Sequence, residues 1–307
     1  MIIAVFPGQG SQTPGFLAPW LELDGARERL AAYSEQAGVD LVAAGTEWDA
    51  DRIRDTSVAQ PLIVAASLLS WAALTERSGS AVAGVAGHSV GEIAALAASG
   101  VLTESDALRL VGLRGRAMAE AAAVTETGMS AVVGGDETAV LERLEALGLT
   151  PANYNGGGQI VAAGELPALA ELATEAPRGA RVIPLQVAGA FHTRFMEPAV
   201  GVLRSAAADV EVSDPSQTLW TNSDGSVVAE GRRALDLVVA QVASPVRWDR
   251  CMASFAEQGV TGIIELSPAG ALTGLAKRAL RGTPTVAVKT PDDLDAAVSL
   301  LKEDIQA

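Results

Sequence analysis

Short apolar runs, each closed by glycine, proline or polar residues, punctuate this chain and predict its elements. Ile2 to Phe6 reads as a strand, stopped by the turn-rich Pro7-Gly8-Gln9-Gly10-Ser11. Ala81 to Ala86 predicts another strand, which runs into Gly87-His88-Ser89-Val90-Gly91 and then a helix over Glu92 to Ser99 that Gly100 is placed to end. A longer helix is expected from Thr103, whose hydroxyl can cap it with Asp106 three residues on, to beyond Met118. The longest apolar stretch, Val58 to Leu74, contains Gln60, Pro61, Ser67 and Ser70 and predicts a core helix preceded by a turn. A bilayer span wants about twenty nearly uninterrupted apolar residues, more than this stretch supplies. Up to about residue 123 the order is that of a parallel α/β sheet.

Between about residues 125 and 190 the rhythm changes. Strands are expected at Met129 to Val133, Pro151 to Asn155, Gln159 to Ala163 and Arg181 to Leu185, and helices at Glu137 to Leu147 and Leu166 to Thr174. Strand-helix-strand-strand-helix-strand is the split βαβ, ferredoxin-like order, here expected as a small domain inserted into a larger one. After Phe191 a helix is expected around Glu197 to Ala208, then α/β alternation with strands at Thr218 to Thr221 and Gly262 to Glu265. A surface helix is expected from about Asp292 onward.

The 307 residues, 49% of them hydrophobic, can bury a large core without disulfide or metal staples. The single cysteine, Cys251, excludes an internal disulfide and a multi-cysteine metal cluster and fits a reducing, cytoplasmic compartment. Met1 to Phe6 has no basic residue ahead of its apolar run, so no secretory signal is expected. The formal charge is −15, from 37 acidic against 22 basic residues; this argues against a nucleic-acid partner, which needs a net basic face. No membrane partner is expected either. His88 and His192 are the two histidines, without a metal-binding His-Glu-x-x-His spacing, and no metal or other cofactor is expected.

Gly87-His88-Ser89-Val90-Gly91 is a Gly-x-Ser-x-Gly turn between a strand and a helix. Its glycines allow a tight turn that holds the Ser89 hydroxyl proud of the sheet, while the Val90 amide can face a developing oxyanion. Such a serine needs a base within hydrogen-bond reach. His88 adjoins it and points to the other side, which leaves His192, in the irregular Gly189-Ala190-Phe191-His192-Thr193. The glycine-rich turn after the first strand has no following Gly-Lys-Ser/Thr and is a weak nucleotide site; it can instead offer the Gln9 amide as a second oxyanion donor. Ala107, Leu110, Val111, Arg114, Ala117, Met118 and Ala121 form one helical stripe in which a single guanidinium interrupts an apolar face. Arg109 and Arg116 fall on the other side. A buried Arg114 must be paired, either with an internal carboxylate such as Glu92 or with an anionic substrate.

Together these pieces resemble the malonyl-CoA:acyl carrier protein transacylase family, along nearly the whole chain. The resemblance rests on Pro7-Gly8-Gln9-Gly10-Ser11-Gln12, Gln60-Pro61, Gly87-His88-Ser89-Val90-Gly91-Glu92, Arg114-Gly115, Asn153-Tyr154-Asn155 with Gln159-Ile160-Val161, Ala190-Phe191-His192-Thr193, Pro245-Val246 with Trp248, and Leu272-Thr273-Gly274-Leu275. It implies an α/β-hydrolase-like larger domain of residues 1–124 and 191–307 and a ferredoxin-like inserted subdomain of residues 125–190. By the same resemblance Ser89 is the nucleophile, His192 the base, Arg114 the clamp on a malonyl carboxylate, and the amides of Gln9 and Val90 the oxyanion hole. Gln241 looks like the residue whose backbone carbonyl orients the histidine, Asn153 and Asn155 would line the substrate cleft, and Phe191 resembles the pattern that selects unbranched malonyl. Glu265-Leu266-Ser267-Pro268-Ala269 departs from the family, which usually shows glycines around that proline.

The implied reaction is a ping-pong transfer of malonyl from CoA to the phosphopantetheine thiol of an acyl carrier protein, serving fatty acid or polyketide synthesis. A serine hydrolase or thioesterase with the same Ser-His pair is the alternative, and a non-catalytic binding module a second one. Carrier proteins of this kind are acidic, so docking calls for a local basic patch, either Arg178, Arg181 and Arg194 or Lys277, Arg278 and Arg281.

Overall fold

A computed structural model describes residues 1–79 and 82–306. Its strands are β1 (Ile2–Phe6), β2 (Gly84–Gly87), β3 (Thr127–Gly134), β4 (Thr150–Gly156), β5 (Gln159–Glu165), β6 (Ala180–Pro184), β7 (Thr218–Leu219), β8 (Gly262–Glu265) and β9 (Thr285–Ala287). Five of them pair in parallel in the order β7-β2-β1-β8-β9, and the other four form a separate antiparallel sheet in the order β4-β5-β3-β6.

β1 lies at the centre of the parallel sheet with every residue buried, which is why its sequence runs apolar without alternation. Ile3 and Val5 pack on one side with Trp220, Trp248 and Phe255, while Ile2, Ala4 and Phe6 face the larger cluster on the other. Helices Thr56–Ser78 and Glu104–Ala122 both pack into that larger cluster. Every member of the stripe from Ala107 to Ala121, Arg114 included, is buried there. Leu110, Val111 and Met118 each contribute about 1.5–3 kcal/mol by burial, so the helix tolerates one desolvated guanidinium. Thr103 Oγ1 accepts from the Asp106 N–H at 3.0 Å and caps the helix as the sequence requires.

The antiparallel sheet divides its side chains with the same two-residue period. Val132, Ile160 and Ala162 pack with Val140, Leu144, Leu169 and Leu172 of helices Glu137–Ala146 and Leu166–Thr174. Met129, Ala131, Val161 and Ala163 turn to the opposite face and join the main cluster. β4 is also tied by its backbone to the segment that follows helix Gly231–Gln241, through Tyr154 N–H to Val246 O and Val246 N–H to Ala152 O, both 2.9 Å.

Several boundaries differ from the sequence expectation. The helix expected within Val58 to Leu74 begins earlier, at Thr56, and Gln60 and Pro61 lie inside it. Proline removes only one backbone donor, and near a helix start that loss is small beside the burial of the apolar turns that follow. The strand expected from Ala81 is observed as Gly84–Gly87, and Ala81 itself lies outside the described residues. The strand expected through Thr221 stops at Leu219, because Trp220 bridges Val227 across a turn. At the C-terminal departure from the family, the Glu265 carboxylate accepts from the N–H groups of Leu272 and Thr273 at 2.9 and 2.8 Å, supplying the cap of helix Ala271–Ala279.

Candidate active site

β2 ends at Gly87 and helix Gly91–Ala98 begins four residues later. A β-carbon at Gly91 would overlap the Phe6 carbonyl, and one at Gly87 would overlap the Gly91 backbone, so the turn requires glycine at both positions. Between them Ser89 has φ 53, and the other non-glycine residue with positive φ among the described residues is His192, at φ 61. Each such conformation costs about 1–3 kcal/mol. The two strained residues meet: Ser89 Oγ lies 2.7 Å from His192 Nε2.

His192 Nδ1 is 2.8 Å from the backbone carbonyl oxygen of Gln241. A carbonyl only accepts, so Nδ1 carries the proton and the Nε2 lone pair faces the Ser89 hydroxyl, the tautomer a general base needs. Burial, reinforced by the positive charge of Arg114, pushes the His192 pKa down to about 3. The ring is therefore neutral throughout the ordinary pH range. The pH profile of kcat/KM for acyl-enzyme formation is expected to show no acid limb near 6.5, the limb lying below pH 5. A bound anion that offsets the Arg114 charge raises the imidazole pKa, so the limb in kcat should lie at higher pH than the limb in kcat/KM. A shared limb near 6.5 in both profiles would contradict this assignment. His88 points elsewhere, with Nε2 2.9 Å from Asn155 Oδ1 and its ring edge against Trp248.

Gly8 packs against His88 and Ser89: a β-carbon there would lie 3.7 Å from Ser89 Cβ, which brings the Pro7-Gly8-Gln9 turn to Ser89. No hydrogen bond among the described residues occupies the backbone N–H of Gln9 or of Val90. The Gln9 side chain instead turns away to the Arg54 carbonyl at 3.3 Å.

Arg114 does not form the direct ion pair with Glu92 that the sequence left open. Its guanidinium donates to two neutral amides, Gln60 Oε1 at 2.6 Å and Gln241 Oε1 at 3.1 Å, and Nε has no hydrogen-bond partner. Burial lowers its pKa and raises that of Glu92, each shift being the cost of desolvating a charge. Gln241 joins these groups. Its Nε2 donates to Glu92 Oε2 and approaches the Ser89 carbonyl at 3.2 Å, while its backbone carbonyl holds His192. One residue thus touches Arg114, the Ser89 turn and His192.

Asn222 is the site residue that sequence reasoning missed. It is fully buried and bonds to Ser89, Gly87 and Glu92, yet Thr221-Asn222-Ser223-Asp224-Gly225 carries only the composition of an ordinary turn. Asn153 and Asn155 are buried on β4, where Asn155 serves His88 and also donates to Gln159 Oε1 at 2.9 Å. Phe191 is buried in the main cluster beside His192. Arg178, Arg181 and Arg194 are exposed, as are Lys277, Arg278 and Arg281, and Arg278 lies along Gly157 in the β4–β5 turn.

The acyl transferase domain family matches residues 3–302. The malonyl CoA-acyl carrier protein transacylase of Mycobacterium tuberculosis (strain ATCC 25618 / H37Rv) is 54% identical over 304 residues, covering 98% of this chain and 100% of that protein. A crystal structure of MCAT from Mycobacterium tuberculosis superposes with a TM-score of 0.93 at 54% identity, over 97% of this chain and 100% of that one. A malonyl transacylase solved in complex with its type II PKS acyl carrier protein superposes with a TM-score of 0.92 at 32% identity, over 97% and 99% of the two chains. A match of this extent, found independently in domain, sequence and fold, means that the chain belongs to the malonyl-CoA:acyl carrier protein transacylase family of acyltransferases.

Proposed function

We propose that this enzyme transfers malonyl from CoA to the phosphopantetheine thiol of an acyl carrier protein through an ester on Ser89. The observation that carries this reading is the Ser89–His192 pair at 2.7 Å, joined through Gln241 to a buried arginine that has no carboxylate partner. Ser89 Oγ attacks the thioester carbonyl and passes its proton to His192 Nε2. The amides of Val90 and Gln9 receive the oxyanion. The C–S bond breaks as His192 returns the proton to the departing CoA thiolate. In the second half-reaction His192 takes the proton of the pantetheine thiol, the sulfur attacks the acyl-serine, and Ser89 Oγ leaves reprotonated. No metal or organic cofactor enters this scheme.

Gln241 presents a neutral carbonyl to His192 in place of a carboxylate. That fixes the tautomer while stabilising the imidazolium only weakly, which suits a thiolate leaving group, a far weaker base than the amide anion that cleavage of a peptide bond would expel without protonation. Arg114 takes the distal carboxylate through its planar fork, with the unpartnered Nε as an available donor. A charge-assisted contact of about 1.5–3 kcal/mol corresponds to a ten- to hundredfold preference for malonyl over acetyl. Arg114→Ala is expected to lower the malonyl-to-acetyl ratio of kcat/KM by that factor; an unchanged ratio would remove Arg114 from the clamp. Phe191 beside the base favours the unbranched acyl group. Asn153 and Asn155 are assigned to the wall of the substrate cleft.

The five-stranded part is read as the α/β-hydrolase-like catalytic domain, residues 1–124 and 191–307. The order β4-β5-β3-β6 with two covering helices supports a ferredoxin-like subdomain at 125–190. Fatty acid or polyketide synthesis in the cytoplasm is the setting this chemistry serves. Incubating the enzyme with labelled malonyl-CoA and a pantetheinylated carrier protein tests the proposal. Label should accumulate on the carrier; free malonate with little carrier product would mark a hydrolase instead.

A further inference from the structure

We propose that Asn222 is a positioning residue that holds the Ser89 turn in its left-handed form, an inference that rests on reading Ser89 as the nucleophile. Asn222 follows β7, in a turn closed by the Thr221 N–H to the Ser226 carbonyl at 3.0 Å. Its carboxamide grips the elbow at two points: Oδ1 accepts from the Ser89 N–H at 2.8 Å, and Nδ2 donates to the Gly87 carbonyl at 2.7 Å. Its own backbone N–H donates to Glu92 Oε1 at 2.7 Å, in the first turn of the following helix. One buried residue, 133 positions downstream of the serine, therefore spans the strand end, the nucleophile and the helix start.

A serine does not favour φ 53 on its own, and relaxing to negative φ would swing Oγ away from the imidazole. The bond from Ser89 N–H to Asn222 acts on the dihedral that must be held. An amide suits the task because it offers one acceptor and two donors on a rigid plane; serine can bridge only one of the two points. Gln241 Nε2 stands 3.2 Å from the same Oδ1, which fixes which end of the amide faces Ser89. Asn222 bonds to the elbow only through backbone groups. Its loss removes one acceptor of Gln241 Nε2, which keeps Glu92 Oε2 and the Ser89 carbonyl, and acts chiefly on where the Ser89 hydroxyl sits.

Asn222→Ala and Asn222→Ser, checked for folding by circular dichroism, are compared with the parent enzyme in single-turnover acylation by malonyl-CoA followed by intact mass. The limiting rate is expected to fall about ten- to hundredfold, with the half-saturating malonyl-CoA concentration within about threefold of the parent's. Modification of Ser89 by an organic fluorophosphonate, which does not use Arg114, should slow by a similar factor. A limiting rate within threefold of the parent's, or a higher half-saturating concentration at an unchanged rate, would overturn the proposal. If the alanine variant does not fold, the serine variant is judged by the same two numbers. A parent enzyme that takes no acyl group on Ser89 would bring down the nucleophile assignment and this inference together, whereas a normal parent with unimpaired variants removes Asn222 alone.

Discussion

Ser89→Ala is expected to lower malonyl transfer by at least about 10⁴-fold with little change in malonyl-CoA affinity, because it removes the atom that forms the covalent intermediate and nothing that binds substrate. Arg114, Gln241 and the amides of Gln9 and Val90 do not depend on the Ser89 hydroxyl for their positions. Any residual turnover must come from direct attack of the carrier thiol, and it should lose ping-pong kinetics. Steady-state rates with varied malonyl-CoA and carrier check both points. Parallel double-reciprocal lines in the variant, at more than about one hundredth of the parent rate, would mean that another group carries the acyl chain.

His192→Ala is expected to cost about 10³–10⁴-fold in the acylation rate, again with half-saturation little changed. In the proposed mechanism the imidazole accepts the serine proton and donates to the leaving thiolate, so both half-reactions should slow. If the proposed nucleophile and base act as one unit, Ser89→Ala combined with His192→Ala should be no slower than Ser89→Ala alone within about threefold. Multiplying losses in the double variant would show that the two act independently, against the 2.7 Å contact between them. Gln241 can be exchanged without losing its backbone carbonyl, so its side-chain variants should perturb the Arg114 clamp more than the His192 tautomer.

What the sequence made legible was local. Helices Leu166–Thr174 and Glu197–Ala208 lie where periodicity, with a proline at each start, places them. The Gly-x-Ser-x-Gly turn announced its geometry because overlap with Phe6 and Gly91 leaves its glycines no replacement. Arg114 stood out as one charge in an apolar stripe, and burial of the whole stripe bears that out. The partners of that charge were not legible: Gln60 and Gln241 approach from helices 54 and 127 positions away, and a glutamine in an amphipathic pattern carries no mark of what it will bond. Asn222 escaped for the same reason. Its turn is unremarkable in composition, and only folding β7 beside β2 brings its amide to the elbow. The start of helix Thr56–Ser78 was obscured by Pro61, a local signal that packing overrides.

Rapid quenching of the enzyme with malonyl-CoA alone, followed by peptide mapping, tests the central assignment most directly. A malonyl ester confined to the peptide containing Ser89, formed within one turnover and discharged when carrier protein is added, is the predicted result. An acyl group on any other residue, or a carrier acylated without a preceding adduct on Ser89, would contradict it.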